Sequence, residues 1–462
     1  FNMMANMAPK RLEGFFNWYL QAGTPRLTAR CIISKPLKQF TIKLTVKDTN
    51  HANLVIPIAC QLLKKDGQIC TKKPIKGDYI VTDKNELILL WSNEKSSFVF
   101  NDMGEAPVAI LNRRFSAPIE IDQTPLVNPI FILKHEKDPF TLWDHCQATL
   151  NRWIKKQIRM VEKQAINQPV YDRRITDLVD SIFDAALGHT KAPSLSAKLL
   201  QWPTLTGFLD QNKIGTIELI DQSINILWRI SAMRHQNNIL KHYEELNKPV
   251  QQTTLGERAL RNSLIAFIAH IPDALDILLK TYDESDSMGL RLQALRALAN
   301  MPNNLAPIGE PNLNAQAQKR FDHFYQQYKN DDLVIDHWFR LQATSPLSGH
   351  VANIKTLSRD PVFSLLKPNK VRALLGAFAF SNPIRFHSKD GSGYHFIQTE
   401  LLMLDQKNPQ IAARLASCFS NWQYMDPKRK KNMQKTLQNL SQCAKLSPNL
   451  DEMIERILHP SK

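Results

Sequence analysis

The sequence predicts a mixed, mainly α-helical fold: a small antiparallel β-sandwich followed by a large superhelical array of helix hairpins, resembling a solenoid. Three observations carry this expectation. Phe40-Thr41-Ile42-Lys43-Leu44-Thr45-Val46-Lys47 alternates strictly between apolar and polar residues, the pattern of a strand with one buried face. Further short β-rich runs follow without an intervening helical pattern. From about Pro139 onward the apolar residues instead recur at helical spacing.

Taken in order, Arg11 to Gly23 places Leu12, Phe15, Phe16, Tyr19 and Leu20 on one helical face, with Gly23 as a C-cap and Pro25 beyond it. This reads as the last helix of a domain whose body lies outside the chain, and gives a first segment 1–24. The opening Phe1-Asn2-Met3-Met4 fits the same expectation of a piece of a longer protein. Strands are expected at Leu54–Leu63, Leu87–Trp91, Ser97–Phe100, Val108–Phe115 and Ile119–Ile121, separated by turns such as Lys65-Asp66-Gly67 and Asp102-Met103-Gly104. They make a sandwich over 25–124, with no catalytic grouping in it. Helices are expected at Leu142–Val161, Ile175–Leu187, Ser194–Leu200, Thr216–Met233, Leu255–Ile271, Ala274–Tyr282, Ser287–Met301 and Asn314–Tyr328. Short connections make successive helices antiparallel neighbours, and a domain over 125–462 is too long for one bundle. Stacked hairpins with a concave face are the natural solution, although no strict repeat period is present.

The chain has 462 residues, 43% hydrophobic and 22% charged, ordinary for a globular protein with substantial cores. Only 15 Gly and 9 Tyr argue against an all-β chain. The net charge of +16 is spread along the sequence, and the one dense basic run is Lys428-Arg429-Lys430-Lys431. Nucleic-acid binding needs clustered charge interleaved with aromatics, so no nucleic-acid partner is expected. No apolar run approaches a membrane span, so no membrane partner is expected either. The six cysteines are far apart and form no CxxC, which reads as reduced thiols in a cytoplasmic protein.

The catalytic motifs fail one by one. None of the 13 histidines lies four residues from another, as HExxH requires; His135-Glu136 begins the pattern, but Pro139 stands where the second histidine should be. Gly391-Ser392-Gly393 lacks the spacing of a nucleophile elbow and follows no strand. Neither GxxxxGK[ST] nor GxGxxG occurs. No catalytic residue and no metal ligand is therefore expected in this chain.

Binding residues remain. The densest departure from plain amphipathic helix is Asn369–Arg414. There Arg372 interrupts an apolar helix, Val371 to Phe380, where a charge needs a partner or a cavity. Ser381-Asn382-Pro383 ends that helix, and a polar loop carries Arg385, His387 and Asp390. A second helix begins near Tyr394. A third opens at Asn408-Pro409, with Gln410 and Arg414 one turn apart on one face. Such a pair is either simply solvated or placed to recognise a peptide carbonyl or carboxylate, and the residues leave both open.

Several strings then carry a family resemblance: NWYLQAGTP (17–25), FTIKLTV (40–46), FSAPI (115–119), VIDHWFRLQATSP (334–346), NKVRALLGAFAFSNPIRFHSKDGSGY (369–394) and NPQIAARL (408–415). In order, from about Arg11 to the C-terminus, they resemble the C-terminal part of bacterial aminopeptidases of the M1 family of zinc metallopeptidases. The resemblance implies that 1–24 ends a catalytic domain lying upstream, against which this chain packs. It implies that the sandwich is a spacer and that the helical domain caps a zinc cleft and encloses a chamber for peptide substrates. The amine-gripping GAMEN motif, the HExxH zinc motif, the distant Glu ligand and the catalytic Tyr would all lie upstream. This portion alone would hold no zinc and be inactive, while the complete protein would use zinc to remove N-terminal residues from peptides. Gln410 and Arg414, and with them Arg372, are implied as substrate-channel residues. Two departures stand out: the Lys47–Asn53 loop is short for the family, and Phe380 occupies a position where a small residue is usual. The alternative, from the residues alone, is a free-standing helical scaffold that binds a peptide or protein partner. Upstream sequence bearing HExxH and GAMEN separates the two.

Overall fold

A computed structural model describes residues 16–47, 54–82, 86–92, 96–164, 166, 168–188, 192–211, 217–301, 313–347, 349–443 and 445–459. They form two compact units, the first running to Thr149 and taking in Asp180–Ala185, the second comprising the rest.

Among the described residues the first unit is built on eight strands: β1 (Arg26–Ser34), β2 (Gln39–Val46), β3 (Ile56–Leu63), β4 (Tyr79–Val81), β5 (Leu87–Trp91), β6 (Ser97–Phe100), β7 (Val108–Leu111) and β8 (Glu120–Thr124). They make two four-stranded sheets, ordered β6-β2-β1-β8 and β4-β5-β3-β7. Alternation dictates what lies between them. Phe40, Ile42 and Leu44 of β2 are fully buried, as are Ile56, Ile58, Leu89, Trp91, Phe98 and Phe100. The Trp91 indole donates to the Leu44 carbonyl at 3.2 Å, so the largest core side chain also satisfies its polar atom. Two strands escaped the sequence reading, β1 and β4. In β1 the buried residues are Leu27 and Ala29, a weak apolar signal flanked by Arg26 and Arg30. The sandwich is also not wholly antiparallel: β8 pairs in parallel with β1, from Arg26 opposite Glu120 to Arg30 opposite Thr124.

β7 stops at Leu111, short of the expected Phe115, because Asn112, Arg114 and Phe115 adopt positive φ. Asn112 holds the turn: its carboxamide donates to the Ala117 carbonyl and accepts from the Ala117 amide and the Ser116 hydroxyl. The turn buries Arg113, which donates to Glu136 at 2.7 and 2.8 Å and to Glu86 at 2.8 Å. Burial opposes ionisation of Glu136, but hydrogen bonds from Arg113 and from the Asp138 and Lys137 amides outweigh it and hold the carboxyl below its usual range. Glu136, half of the failed zinc motif, is thus a structural anion.

Among the described residues the helices are α1 (Asn17–Leu20), α2 (Pro129–His135), α3 (Pro139–Glu162), α4 (Arg173–Leu187), α5 (Pro193–Leu199), α6 (Leu205–Gln211), α7 (Ile217–Arg234) and α8 (Gln236–Leu246). Next come α9 (Leu255–Ile268), α10 (Leu275–Asp283), α11 (Met288–Asn300), α12 (Leu313–Tyr328), α13 (Asp332–Thr344) and α14 (Val351–Leu357). Of the expected Arg11–Gly23 helix, 11–15 lie outside the described residues, and α1 ends at Leu20 because Gln21 is extended, so the helix stops short of the expected Gly23 cap. Local chemistry sets many of the starts. Pro occupies the first turn of α2 and α5, Thr254 and Glu257 form a capping box on α9, and Asp331 caps α13. In the second unit α9 packs on α5, α8 and α11, and α11 packs on α10 and α13. With α7 also against α9, the helices α7, α9, α11 and α13 form one layer, as in an array of stacked hairpins. No helix among the described residues is long and apolar enough to cross a membrane.

Candidate functional site

The segment singled out in the sequence folds as α15 (Pro368–Val371), a π-turn (Arg372–Gly376), α16 (Ala377–Ser381), α17 (Pro383–Phe386), α18 (Ser392–Asp405) and α19 (Pro409–Ala416). The buried charge in its first helix is not Arg372 but Lys370. The Lys370 ammonium donates to Asp336 at 2.8 Å and to the Asp332 carbonyl at 3.0 Å, and its side chain is 1% exposed. Arg372 is exposed and donates to Asn369 at 3.2 Å. The expectation that Arg372 sits within an apolar face is corrected accordingly. Arg372, Gly376 and Phe380 lie at i, i+4 and i+8, a single face, while Ala373, Leu374 and Leu375 turn inward.

The polar loop is mostly scaffold. Asn382 is buried and donates to the carbonyls of Ala343 and Ser345 at 2.8 and 3.1 Å. Arg385 donates through Nε to the Pro346 carbonyl at 2.9 Å. His387 Nδ1 meets the Tyr394 hydroxyl at 2.9 Å, and burial pushes the imidazole down to about 3. Asp390 accepts from the Ser392 amide and hydroxyl, Gly391 takes φ +79°, and Gly393 lies so close to the Phe386 carbonyl that an added Cβ would sit 2.3 Å from its oxygen. These residues therefore have structural duties. Arg429, on α20 (Pro427–Ser441), fixes the loop from outside. Its guanidinium binds Glu218 at 2.7 and 3.2 Å, Asp426 at 2.7 Å and the His387 carbonyl. α21 (Pro448–Leu458) closes the array against α19 and α20.

What remains open is a cavity of about 390 Å³ between α13, the π-turn, α16 and α19. Arg372 and Arg414 both line it, together with Arg340, Phe380 and Ile411, and no carboxylate does. Gln410 is exposed one turn before Arg414 but is not on this wall. Arg340 was missed by the sequence reading, although it lies in the quoted VIDHWFRLQATSP string. The signal was available, since Trp338, Phe339 and Leu341 take the buried positions and leave Arg340 outward. Three guanidinium groups beside an exposed aromatic ring suit a carboxylate or a row of peptide carbonyls. Among the described residues no three His, Cys, Asp or Glu side chains gather as a metal site, and all six cysteines are free thiols.

Residues 128–459 match the family described as "Domain of unknown function (DUF3458_C) ARM repeats", and residues 23–124 match its companion with an Ig-like fold. Among curated proteins, aminopeptidase N of Escherichia coli is 29% identical over 97% of this chain, and that of Haemophilus influenzae 27% over 97%. Aminopeptidase N of Caulobacter vibrioides is 25% identical over 98%. The chain spans about half the length of these relatives, 50% in each case. Among solved structures, a Legionella pneumophila aminopeptidase A crystallised with aspartic acid shares the fold, with a TM-score of 0.81 at 21% identity over 98% of this chain and 51% of its own. The chain thus belongs to the DUF3458 family of Ig-like and ARM-repeat domains and corresponds to the C-terminal part of an M1-family aminopeptidase of the aminopeptidase N type.

Proposed function

We propose that this chain is the substrate-enclosing part of a zinc aminopeptidase that removes N-terminal residues from peptides. The single observation that carries the reading is the coincidence of Arg372, Arg414 and Arg340 on one cavity free of carboxylates, in a chain whose relatives are aminopeptidases. In this reading the helical domain covers the catalytic cleft, and the arginines bind carbonyls and the carboxylate of the peptide beyond the scissile bond. Gln410, one turn from Arg414, adds an amide to the same path. Zinc held by the upstream domain would supply the Lewis acidity that such a reaction needs. Among the described residues no group of side chains fits a zinc site, and the part of this chain is to orient the peptide and exclude bulk water. Residues 1–24 then end the catalytic domain, 25–124 act as spacer, and 125–462 form the cap. Six unpaired thiols support a cytoplasmic setting.

The test uses the complete enzyme. Arg414→Ala and Gln410→Ala should lower kcat/KM for tri- and tetrapeptides, by about tenfold for the arginine, with zinc content unchanged. Wild-type kinetics in both variants would remove the channel role. The 462-residue chain by itself should hydrolyse no alanyl substrate and bind no stoichiometric zinc. Turnover that survives repurification would overturn the assignment of catalysis to the upstream domain.

A further inference from the structure

We propose that a second cavity, between α7, α9, α11 and the 381–385 loop, binds a short apolar peptide in its zwitterionic form. The cavity is about 600 Å³, within the range of roughly 300–1,000 Å³ typical of small-ligand sites. It shares only Ser381 with the Arg372–Arg414 cavity, and the inference stands on its own groups, independent of any peptidase reading.

Its floor is aromatic and apolar. The His270 ring stacks on Trp228, with centroids 5.2 Å apart and planes at 21°. Phe267 backs Trp228 at 4.7 Å, and Ile224, Ile265 and Met301 complete the surface. His270 is 9% exposed and its Nδ1 has no hydrogen-bond partner. Buried polar atoms are nearly always paired, so the wall is incomplete as it stands.

Three charged side chains line the same space; Arg385 is committed to the Pro346 carbonyl, which leaves Asp221 and Arg296 as two opposite charges without an ion-pair partner among the described residues. Asp221, on α7, is half-buried, its carboxylate accepts from the Asn225 amide at 2.9 Å, and no cation of the described residues pairs with it. Burial, and beyond it the charge of Glu218, push its carboxyl up to about 6. Arg296, on α11, reaches only the Gln293 carboxamide at 3.4 Å. Its charged form is disfavoured by the surrounding protein and by Arg340, although its surface is open, as expected of a group facing a concavity. A free ammonium answers Asp221, a free carboxylate answers Arg296, and an apolar side chain covers Trp228. Asn262 and Asn300 add carboxamides that can pair with a peptide group.

The experiment is calorimetric titration of the 462-residue chain with the dipeptide Leu-Phe, with N-acetyl-Leu-Phe, Leu-Phe-amide and free leucine as comparisons. Leu-Phe should bind saturably, and blocking either end should weaken binding about tenfold or more. Asp221→Asn should abolish discrimination against the acetylated peptide, and Arg296→Gln that against the amide. Blocked and free peptides of equal affinity, or free leucine binding as tightly as Leu-Phe, would each overturn the assignment. Failure to saturate by about 10 mM would do the same. Because no turnover is read, these outcomes are separate from the kinetic test of Arg414 and Gln410.

Discussion

Replacing Arg429 by methionine tests how the far ends of the helical array are joined. Arg429 is 3% exposed, and its guanidinium meets Glu218, 211 residues earlier in the chain, as well as Asp426 and the His387 carbonyl. Removing one member of a buried ion pair typically costs about 3–5 kcal/mol, because the remaining charge is stranded. Here the stranded carboxylates can partly rehydrate, since the Glu218 and Asp426 side chains are 40% and 29% exposed, which places the cost near the lower end, about 3 kcal/mol. The reverse removal, Glu218→Gln, costs less. Burial opposes ionisation of Glu218, yet Arg429 and then Lys389 hold its carboxyl at about 2 rather than 4.5. That difference corresponds to roughly 3 kcal/mol, and solvent screening at this exposure reduces it to about 1–2. At about 1.5–2 °C per kcal/mol for a unit of roughly 300 residues, the melting temperature should fall by about 5–6 °C in Arg429→Met and by about 2–4 °C in Glu218→Gln. Scanning calorimetry of both variants at neutral pH reads the order. If Glu218→Gln were the costlier change, or Arg429→Met shifted the transition by less than about 2 °C, the ion pair would not be holding these elements together.

Acidification should destabilise the helical unit early. Burial keeps His387 at about 3 and His270 at about 4, both below the ordinary 6.5. The unfolded chain therefore takes up protons first, and stability present above pH 6.5 should be lost as pH falls, by up to ~1.4 kcal/mol per pH unit for each histidine. Urea midpoints at pH 7.5 and 5 check this, with a shallower dependence expected in His387→Gln. Gly393→Ala should destabilise by about 1–3 kcal/mol, because the new Cβ meets the Phe386 backbone. Gly376→Ala, whose Cβ finds nothing nearer than 3.7 Å, should instead stabilise by about 0.5–1 kcal/mol. Thermal melts of the two alanine variants moving in the same direction would contradict the packing described.

Much of this architecture was legible in the residues. β5 and β6 begin and end where their apolar runs do, and the alternation of Phe40 to Val46 is the buried pattern of β2. Strands were missed where burial falls on small or few residues, as at Ala29 in β1 and the three-residue β4. α8 was missed because its buried contribution is little more than Ile239 and Tyr243. The candidate site was partly legible. Arg372 and Arg414 do share a cavity, but local pattern could not bring Arg340 to it from another helix, nor show that Lys370 rather than Arg372 carries the buried charge. Those facts depend on which helices become neighbours, a property of the whole array.

The π-turn at Arg372–Gly376 works as a phase shifter within one rod. Each residue of an α-helix advances the side-chain direction by about 100°, so a single extra residue re-aims everything beyond it by that amount. Lys370 ahead of the turn can then keep its inward ion pair with Asp336, while Phe378 behind it still reaches the core and Phe380 the open cavity. A regular helix through the same residues would have to give up one of these alignments. Shortening this turn by one residue would therefore alter two distant faces together, without changing a single side chain on either.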